Sequence, residues 1–322
     1  MSDKFVVSMS PHIHEKEGIS GIMLDVIIAL IPAMVSGVYY FGMRAAAVIL
    51  TAVAACVLSE YLYTRLMKKK NSVKDLSAVV TGILIGLNMP ATIPLWMVVI
   101  GSVFAIVLVK QIYGGIGKNF MNPALAARCF MLIAWAGAMT SFSLPLEGID
   151  SLASATPLSV MKGVSEGTLP ALRDAFWGAI PGCIGETSAF ALLIGFVYLL
   201  ARRIISWKIP VTYVLVFAVL TYFFGENTTS MGQIEYTLMQ VLTGGLMLGA
   251  IFMATDYTTT PTTPVGLYIF GIGCGIITFA LRKFGGYPEG VSFAILLMNI
   301  LVPQIDKFTI PKKFGGEVRE HD

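Results

Sequence analysis

Charged residues are scarce in this chain. They make up 13% of its 322 residues, whereas hydrophobic residues make up 56%, and the mean hydropathy is +0.78. Because a soluble domain carries about 25% charged residues, this composition excludes an ordinary soluble protein. We therefore expect an integral membrane protein whose surroundings are a lipid bilayer.

Cysteine and histidine are also rare, with 4 and 3 residues respectively. The cysteines lie in different apolar stretches without a C-x-x-C pair, and His12 and His14 have no further ligands nearby. Zinc and iron–sulfur sites need closely spaced ligand sets, so we expect no metal site from this chain alone. A site shared with another protein of a complex stays open.

Long apolar runs dominate the rest of the sequence. A bilayer core about 30 Å thick needs roughly 20 apolar helical residues per crossing, and ten segments approach that length. They cover residues 22–41, 44–66, 76–93, 95–113, 124–142, 177–201, 209–224, 237–255, 265–283 and 289–306. Asn88 and Pro90 interrupt the third segment, and Gly182 and Gly185 lie in the sixth, so we expect these two spans to be broken or re-entrant helices.

The basic residues orient these spans, because Lys and Arg are retained on the cytoplasmic side of short loops. If the N-terminus is cytoplasmic, most of the 22 basic residues lie on the cytoplasmic side. Only five lie on the outer side: Arg44, Lys162, Arg173, Arg282 and Lys283. Both termini are then cytoplasmic and the 143–176 loop is extracytoplasmic, in the plasma (inner) membrane. The first twenty residues lack the plan of a cleaved signal peptide, so we expect the leader to be retained. The net charge of +3 thus reflects topology, and we expect no nucleic-acid partner.

Two short echoes indicate an internal repeat. The stretch VVTGIL, from Val79, is echoed by VLTGGL, from Val241, and YGG at 113–115 is echoed by FGG at 284–286. Ten spans divide into two five-helix halves, and an odd number of crossings reverses the second half in the membrane. The predicted fold is an all-α membrane protein with two inverted five-helix repeats. Its parts are a leader (1–21), the first repeat (22–142), the outer loop (143–176), the second repeat (177–306) and a cytoplasmic tail (307–322).

The outer loop contains the stretch DSLASATP, from Asp150 to Pro157. One interpretation is structural: Thr156 caps a short helix over 157–163, with Pro157 at its first position and Gly163 at its end. The other is functional, because the small neighbours Ser154 and Ala155 leave the Thr156 hydroxyl open to a modifying enzyme. Threonine without an adjacent base has no activation of its own, so such a modification requires a separate enzyme.

This stretch resembles the D-x-x-[ST]-x-A-T pattern at which a flavin transferase links FMN to threonine through a phosphoester, with Ala153 in place of the fourth-position Ser or Thr. Residues 113–125, YGGIGKNFMNPAL, resemble the G-G-x-G-K-N-x-x-N-P-A segment of the same family, and residues 252–261, FMATDYTTTP, resemble its M-A-T-D-x-x-T-x-P segment. SPHIH at 10–14 also fits. The family comprises the D subunit of the Rnf electron-transport complex and the B subunit of the sodium-pumping NADH:quinone reductase. The short leader favours the Rnf side, since the reductase protein usually has a longer one.

The resemblance implies covalent FMN on Thr156, with Asp150, Ser154 and Ala155 in the acceptor motif, and a second, non-covalent riboflavin among the helices. Asn119 and Asn122 are then possible flavin contacts, although hydrogen bonding to backbone freed where a helix begins at Pro123 explains them equally well. A phosphate loop at Gly117-Lys118 is rejected, because Asn119 stands where Ser or Thr is required.

Among the ionisable residues of the predicted spans, the candidates for a role inside the membrane are Asp25, Glu60, Lys110 and Glu186. Asp25, Glu60 and Lys110 are near the predicted cytoplasmic ends, and we expect them to be solvated or to reach the membrane surface. Glu186 lies inside the predicted break of the sixth span, where a carboxylate could contact a cation or a flavin. A satisfied interior carboxyl is the alternative.

The predicted function is that of a membrane component in an ion-translocating ferredoxin:NAD⁺ oxidoreductase of the Rnf type, carrying electrons through flavin and coupled to Na⁺ or H⁺ transport. The chain has no dinucleotide fingerprint and no cluster ligands, so the other Rnf complex subunits must supply those parts and it is inactive alone. Two alternatives remain: the B subunit of a sodium-pumping NADH:quinone reductase, and a flavin-free channel of urea-transporter-like architecture, because fold does not fix function.

Overall fold

A computed structural model describes residues 18–69, 72–146, 155–287 and 289–310. Asp150 and Ser154 of the acceptor motif lie outside the described residues, as do most of the leader and the end of the tail. The described residues fold mainly into helices, which confirms the predicted all-α class for this part of the chain.

The first helix, α1 (Ile19–Leu66), is a hairpin of two helical arms. Its backbone breaks at Gly42, where φ is 71° and ψ is −165°, a conformation open to glycine. Ser20 Oγ donates to the Lys74 carbonyl at 3.1 Å, and Ser72 Oγ donates to Glu60. In a straight helix Ser20 and Glu60 would be about 60 Å apart. Because both reach the same short segment, the arms run antiparallel, as the gap between the first two predicted spans requires.

The remaining helices of the first part are short. α2 (Ser77–Leu87) and α3 (Leu95–Val103) follow the hairpin, and α3 continues as a π-helical segment, Phe104–Gln111. α4 (Pro123–Ala134) begins at a proline, with Asn122 as its cap, and α5 (Ala136–Met139) follows. α2 lies directly against the second arm of α1, because a Cβ on Gly82 would come within 2.6 Å of the Val53 Cα.

Two short helices, α6 (Pro157–Met161) and α7 (Leu172–Trp177), connect to the second part. There α8 (Ala189–Ala201), α9 (Lys208–Phe224) and α10 (Gln233–Leu242) are followed by α11 (Leu246–Leu248), which runs into a π-helical segment, Gly249–Met253. α12 (Pro264–Phe284) and α13 (Val291–Thr309) complete the described chain.

Within the described part of the chain, three helices, α1, α12 and α13, are long and apolar enough to cross a membrane. The bent pair of α10 with α11 and its π-helical continuation makes a fourth, with a bend of 59°. Five further apolar helices of 10–17 residues are shorter than a full span. The structure therefore agrees with a membrane protein built of several apolar helices, and the ten-span count stays a prediction. The echoed stretches differ in backbone, since Val79 lies within α2 whereas Gly244 and Gly245, with φ of 68° and 71°, separate α10 from α11.

The two spans predicted to be broken meet at their breaks. The chain is non-helical between α2 and α3, and again over 178–188 before α8. The amide of Ile184 donates to the Met89 carbonyl at 3.0 Å, and the amide of Gly185 donates to the Leu87 carbonyl at 2.8 Å. Backbone groups that the missing helical turns leave free are thus paired across the two breaks.

Candidate functional site

Thr156 stands at the start of α6. Its backbone is extended, and its Oγ1 accepts a hydrogen bond from the Ser159 amide at 3.2 Å, so Thr156 caps the helix as the sequence predicts. Pro157 takes the first helical position, and Gly163, with φ of 71°, follows the helix end. The Thr156 and Ala155 side chains are half-buried. Capping uses one lone pair of the hydroxyl, so the structural role and an acceptor role are compatible.

A cavity of about 10 Å³ lies beside Thr156, enough for one water-sized occupant. Glu186 and Thr187, from the break before α8, line it together with Thr243 and Glu289. The structure therefore brings two residues singled out in the sequence, Thr156 and Glu186, to one place. Thr187 Oγ1 and Glu186 Oε2 are both buried and lack a hydrogen-bond partner among the described residues.

Arg128, in the middle of α4, lies beside these acidic residues and is only 5% exposed. Its Nη1 donates to Asn88 Oδ1 at 2.7 Å, and its Nη2 pairs with the Glu289 carboxylate. The same Nη2 lies 3.6 Å from Glu186 Oε2. One guanidinium therefore serves two carboxylates, which explains how the protein interior holds them.

Cys183, Glu186 and Glu289 place a sulfur and two carboxylate oxygens within 4.8 Å of one another, a spacing that could hold a metal ion. The Arg128 Nη2 atom, however, lies 3.6 Å from Cys183 Sγ and 3.6 Å from Glu186 Oε2, while it contacts Glu289 directly. The guanidinium nitrogen thus lies beside all three ligand atoms. This group of residues is an ion-pair cluster rather than a metal cage.

Asn119 and Asn122 line a much larger cavity of about 590 Å³, whose other polar walls include Ser77, Lys110 and Asp256. Asn122 Oδ1 accepts hydrogen bonds from the amides at 124 and 125 at 3.0 and 3.3 Å, so the capping interpretation of this residue is confirmed. Asn119 Nδ2 donates to the Met121 carbonyl at 3.1 Å and to Thr258 Oγ1 at 2.9 Å. Both side chains are therefore fixed at the wall of a cavity of ligand size.

Asp256 lies on the connection between the π-helical segment and α12. Burial raises the pKa of its carboxyl above the usual value, and hydrogen bonds from Thr258 and Thr259 oppose that rise. The cavity thus combines neutral amide groups and the cation Lys110 with a carboxyl whose charge is disfavoured.

The expectation that Asp25, Glu60 and Lys110 are solvated is wrong. Glu60 is 0% and Lys110 3% exposed, and Lys110 Nζ donates to Glu60 Oε2 at 2.7 Å. Asp25 is also buried and accepts from Tyr198 at 2.7 Å and from Arg202 at 3.0 Å. Each charge is paired with a partner from a distant part of the chain, which removes the need to reach water.

Sequence reasoning missed Arg128 and Glu289 as parts of a site. The basic-residue pattern places Arg128 with the cytoplasmic loops, although it lies within the predicted span 124–142. An arginine inside an apolar run is itself the signal that could have found it, because such a charge needs a buried partner. Its partner Glu289 is 161 residues away, and no local pattern indicates it.

Comparison with known proteins shows similarity along nearly the whole sequence. Residues 6–315 match the model of the NQR2, RnfD, RnfE family. The chain is 47% identical over 312 residues to the D subunit of the Na⁺-translocating ferredoxin:NAD⁺ oxidoreductase complex of Acetobacterium woodii, covering 96% of this chain and 95% of the relative. It is 43% identical over 320 residues to the D subunit of the proton-translocating ferredoxin:NAD⁺ oxidoreductase complex of Clostridium ljungdahlii, covering 97% and 96%. It is also 35% identical over 349 aligned positions to the D subunit of the ion-translocating oxidoreductase complex of Cronobacter sakazakii, covering 97% and 99%.

Proposed function

The chain belongs to the NQR2, RnfD, RnfE family, and we propose from that membership that it is the D subunit of an ion-translocating ferredoxin:NAD⁺ oxidoreductase complex. The observation that carries this assignment is the end-to-end similarity to relatives named as D subunits. The chain acts within an electron-transport translocase and requires the other proteins of the complex, which bind ferredoxin and NAD⁺.

We propose that Thr156 carries FMN through a phosphoester formed by a separate flavin transferase. The sequence around Thr156, with Asp150, Ser154 and Ala155, supports this assignment, as does the half-buried hydroxyl at the start of α6. The residues fit the phosphate end of the group, because Thr156 is half-buried at the start of α6 and the cation Lys162 follows directly after the same short helix. When bound, a flavin supplies one- and two-electron transfer, and the tether keeps it at a fixed place in the complex.

We propose that the 590 Å³ cavity beside Asn119 and Asn122 binds a second, non-covalent flavin, riboflavin. The apolar walls, which include Val80, Leu84 and Phe252, match a flat aromatic ring system, and the two amides match its carbonyl and ring-nitrogen edge. The riboflavin ribityl hydroxyls would find the polar groups of Lys110 and Ser77.

For the membrane arrangement we propose ten crossings in two inverted five-helix halves, 22–142 and 177–306. The leader 1–21 and the tail 307–322 are then cytoplasmic and the 143–176 loop is extracytoplasmic, in the plasma membrane. The hairpin of α1 supports two crossings within one helical run, and the bend between α10 and α11 is typical of a broken span. The asymmetric distribution of Lys and Arg supports the orientation.

We propose Glu186 as an ion or flavin contact beside Thr156. Its position at the small cavity supports this role, and its proximity to Arg128 supports the alternative of a neutralised interior carboxyl. Replacing Glu186 by Gln separates the two: coupled ion transport that is unchanged in the variant would exclude the contact role.

The experiment that tests the flavin assignment is in-gel fluorescence of the denatured chain from a host that has the flavin transferase. A fluorescent wild-type band that disappears in Thr156→Ala is the expected result. Thr228→Ala, which changes a threonine that donates to the Met161 carbonyl at the end of α6, serves as the control that keeps the band. A dark wild-type band would favour the flavin-free channel. Identification of the co-purifying proteins separates the D subunit of an Rnf complex from the B subunit of a sodium-pumping NADH:quinone reductase.

A further inference from the structure

A third cavity, of about 180 Å³, lies between α6, α9, α10 and α12. Its walls are partly aromatic, from Phe217, Phe279 and Tyr236, and partly basic, from Lys162, Arg282 and Lys283. Nothing in the ion-pair cluster around Arg128 lines it, and neither does Asn119 or Asn122. It is therefore separate from the cavity beside Asn119 and Asn122, and it adjoins the small cavity beside Thr156 at Leu158, which lines both.

Two polar atoms of this cavity's walls are buried without a partner. Thr221 is 3% and Arg282 7% exposed, and Thr221 Oγ1 and Arg282 Nε make no hydrogen bond among the described residues. A buried donor left unpaired costs about 1–3 kcal/mol, so each such group in a folded protein needs an explanation. A ligand in the cavity that carries hydrogen-bond acceptors would explain both unpaired groups.

Hydrogen bonds hold the Arg282 guanidinium through its two terminal nitrogens, and its Nε has no hydrogen-bond partner among the described residues. Its Nη1 donates to the Gln240 side-chain oxygen at 3.1 Å, and its Nη2 donates to the carbonyls of Thr243 and Gly244 at 3.0 and 3.1 Å. Its central carbon lies 4.8 Å from the centre of the Phe217 ring. A fixed cation beside an aromatic wall is a suitable environment for a planar ring that carries or acquires negative charge.

The charged residues that line the cavity are mostly basic. Burial, together with the nearby charge of Arg282, lowers the pKa of the Lys162 ammonium. The Lys162 Nζ donates to the carbonyls of Gly285 and Tyr287, and Lys283 pairs with Glu226 at 3.2 Å. Three cations therefore face one carboxylate, and an anionic occupant would relieve their mutual repulsion.

Thr156 and this cavity share α6. Leu158, Met161 and Lys162 line the cavity, and Lys162 is six residues beyond Thr156, or about 9 Å along a helix axis. The phosphate and ribityl chain of FMN, when extended, cover a similar distance. A ring that is joined to Thr156 through the phosphate and ribityl chain could thus reach the cavity.

We propose that this cavity receives the isoalloxazine ring of the FMN carried by Thr156, with Arg282 against the pyrimidine edge of the ring. This inference rests on the proposed covalent flavin and adds the place where its ring binds. A flavin bound there would take up two electrons, supplied by the ferredoxin-linked electron transport of the complex, together with one proton. Arg282 would balance the negative charge gained at the pyrimidine edge and so raise the reduction potential of the flavin.

The test compares Thr221→Phe with Val219→Phe in the full chain, purified in detergent from a host that has the flavin transferase. Both variants add a phenylalanine ring to α9, but Thr221 is buried in the cavity wall, whereas Val219 is 45% exposed and does not line the cavity. We expect the native flavin of wild type and Val219→Phe to be protected from collisional quenching by iodide. In Thr221→Phe the quenching constant should rise several-fold towards that of free FMN, with equal in-gel fluorescence in all three proteins.

A dithionite titration supplies an independent readout. Arg282→Gln should lower the midpoint potential of the covalent flavin, and Arg173→Gln, an exposed residue with the same loss of charge, should leave it unchanged. If Arg282→Gln does not fold, the comparison of Thr221→Phe with Val219→Phe decides. If the denatured wild-type band is fluorescent but iodide quenches the native flavin equally in wild type and in Thr221→Phe, the ring does not bind in this cavity. That result overturns the further inference and leaves the covalent flavin in place. A dark denatured wild-type band overturns the covalent flavin itself.

Discussion

Arg128 Nη1 donates a hydrogen bond to Asn88 Oδ1 at 2.7 Å, across 40 residues of sequence. Asn88 ends α2 at the first helix break, and Arg128 reaches from α4 to Glu186 at the second break and to Glu289 before α13. One arginine thus joins both predicted breaks to a third part of the chain. The position of Thr156 depends on this arrangement, because Glu186 and Glu289 line the cavity beside it.

The ion-pair cluster makes Arg128 a large contributor to stability. Removing one partner of a buried ion pair costs about 3–5 kcal/mol, because the other charge stays buried without compensation. We expect Arg128→Met to lower the melting temperature of the detergent-solubilised protein strongly, while Arg173→Met, which changes an exposed arginine, has little effect. Equal melting temperatures for the two variants would contradict the cluster.

Gly245 packs directly on the cluster. A Cβ at this position would lie 2.5 Å from Glu186 Oε2, and the backbone φ is 71°. Gly163 has the same φ, but a Cβ there would meet nothing within 4 Å. Gly163→Ala should therefore cost only the backbone strain, about 1–2 kcal/mol, and Gly245→Ala should cost clearly more. Thermal unfolding of the two variants measures the difference, and equal losses would show that Glu186 does not contact Gly245.

The Glu60–Lys110 pair should show strong coupling. Lys110→Met leaves a fully buried carboxylate without its cation, so we expect this variant to be less stable than the double variant Lys110→Met with Glu60→Gln. Melting temperatures of wild type, both single variants and the double variant give the coupling. Additive losses would indicate that the two side chains are solvated and independent, as their place in the sequence suggests.

The two proposed flavins should be lost independently. Asn119→Leu removes an amide from the wall of the 590 Å³ cavity and fills part of it, so we expect less acid-extractable riboflavin and unchanged covalent flavin. Thr156→Ala should have the opposite effect. Flavin released by acid, compared with flavin retained on the denatured chain, reports both pools. An unaltered extractable pool in Asn119→Leu would place riboflavin elsewhere or outside this chain.

Much of the helical framework was predictable from apolar length. The predicted spans 209–224 and 265–283 differ from α9 (Lys208–Phe224) and α12 (Pro264–Phe284) by one residue at most at each end. The gap after residue 41 falls at Gly42, and Pro90 and Gly182 lie in segments that are indeed non-helical. These features follow from local chemistry, since proline, glycine and the end of an apolar run act where they stand.

The pairing of charges was not predictable in the same way. Asp25, Glu60 and Lys110 lie near helix ends in the sequence, and only the packing of distant elements shows that each is buried with a partner. The contact between Arg128 and Glu289 likewise depends on the tertiary fold. The Thr156 cap was predictable because all of its partners lie within three residues, whereas the cavity beside it is built from four separate segments.

Mass spectrometry of the peptide that contains Thr156, prepared from native material, tests the central claim most directly. The account predicts a peptide heavier by the mass of FMN less one water, with fragment ions that place the group on Thr156. An unmodified threonine in native material would contradict the assignment of this chain as a carrier of covalent flavin.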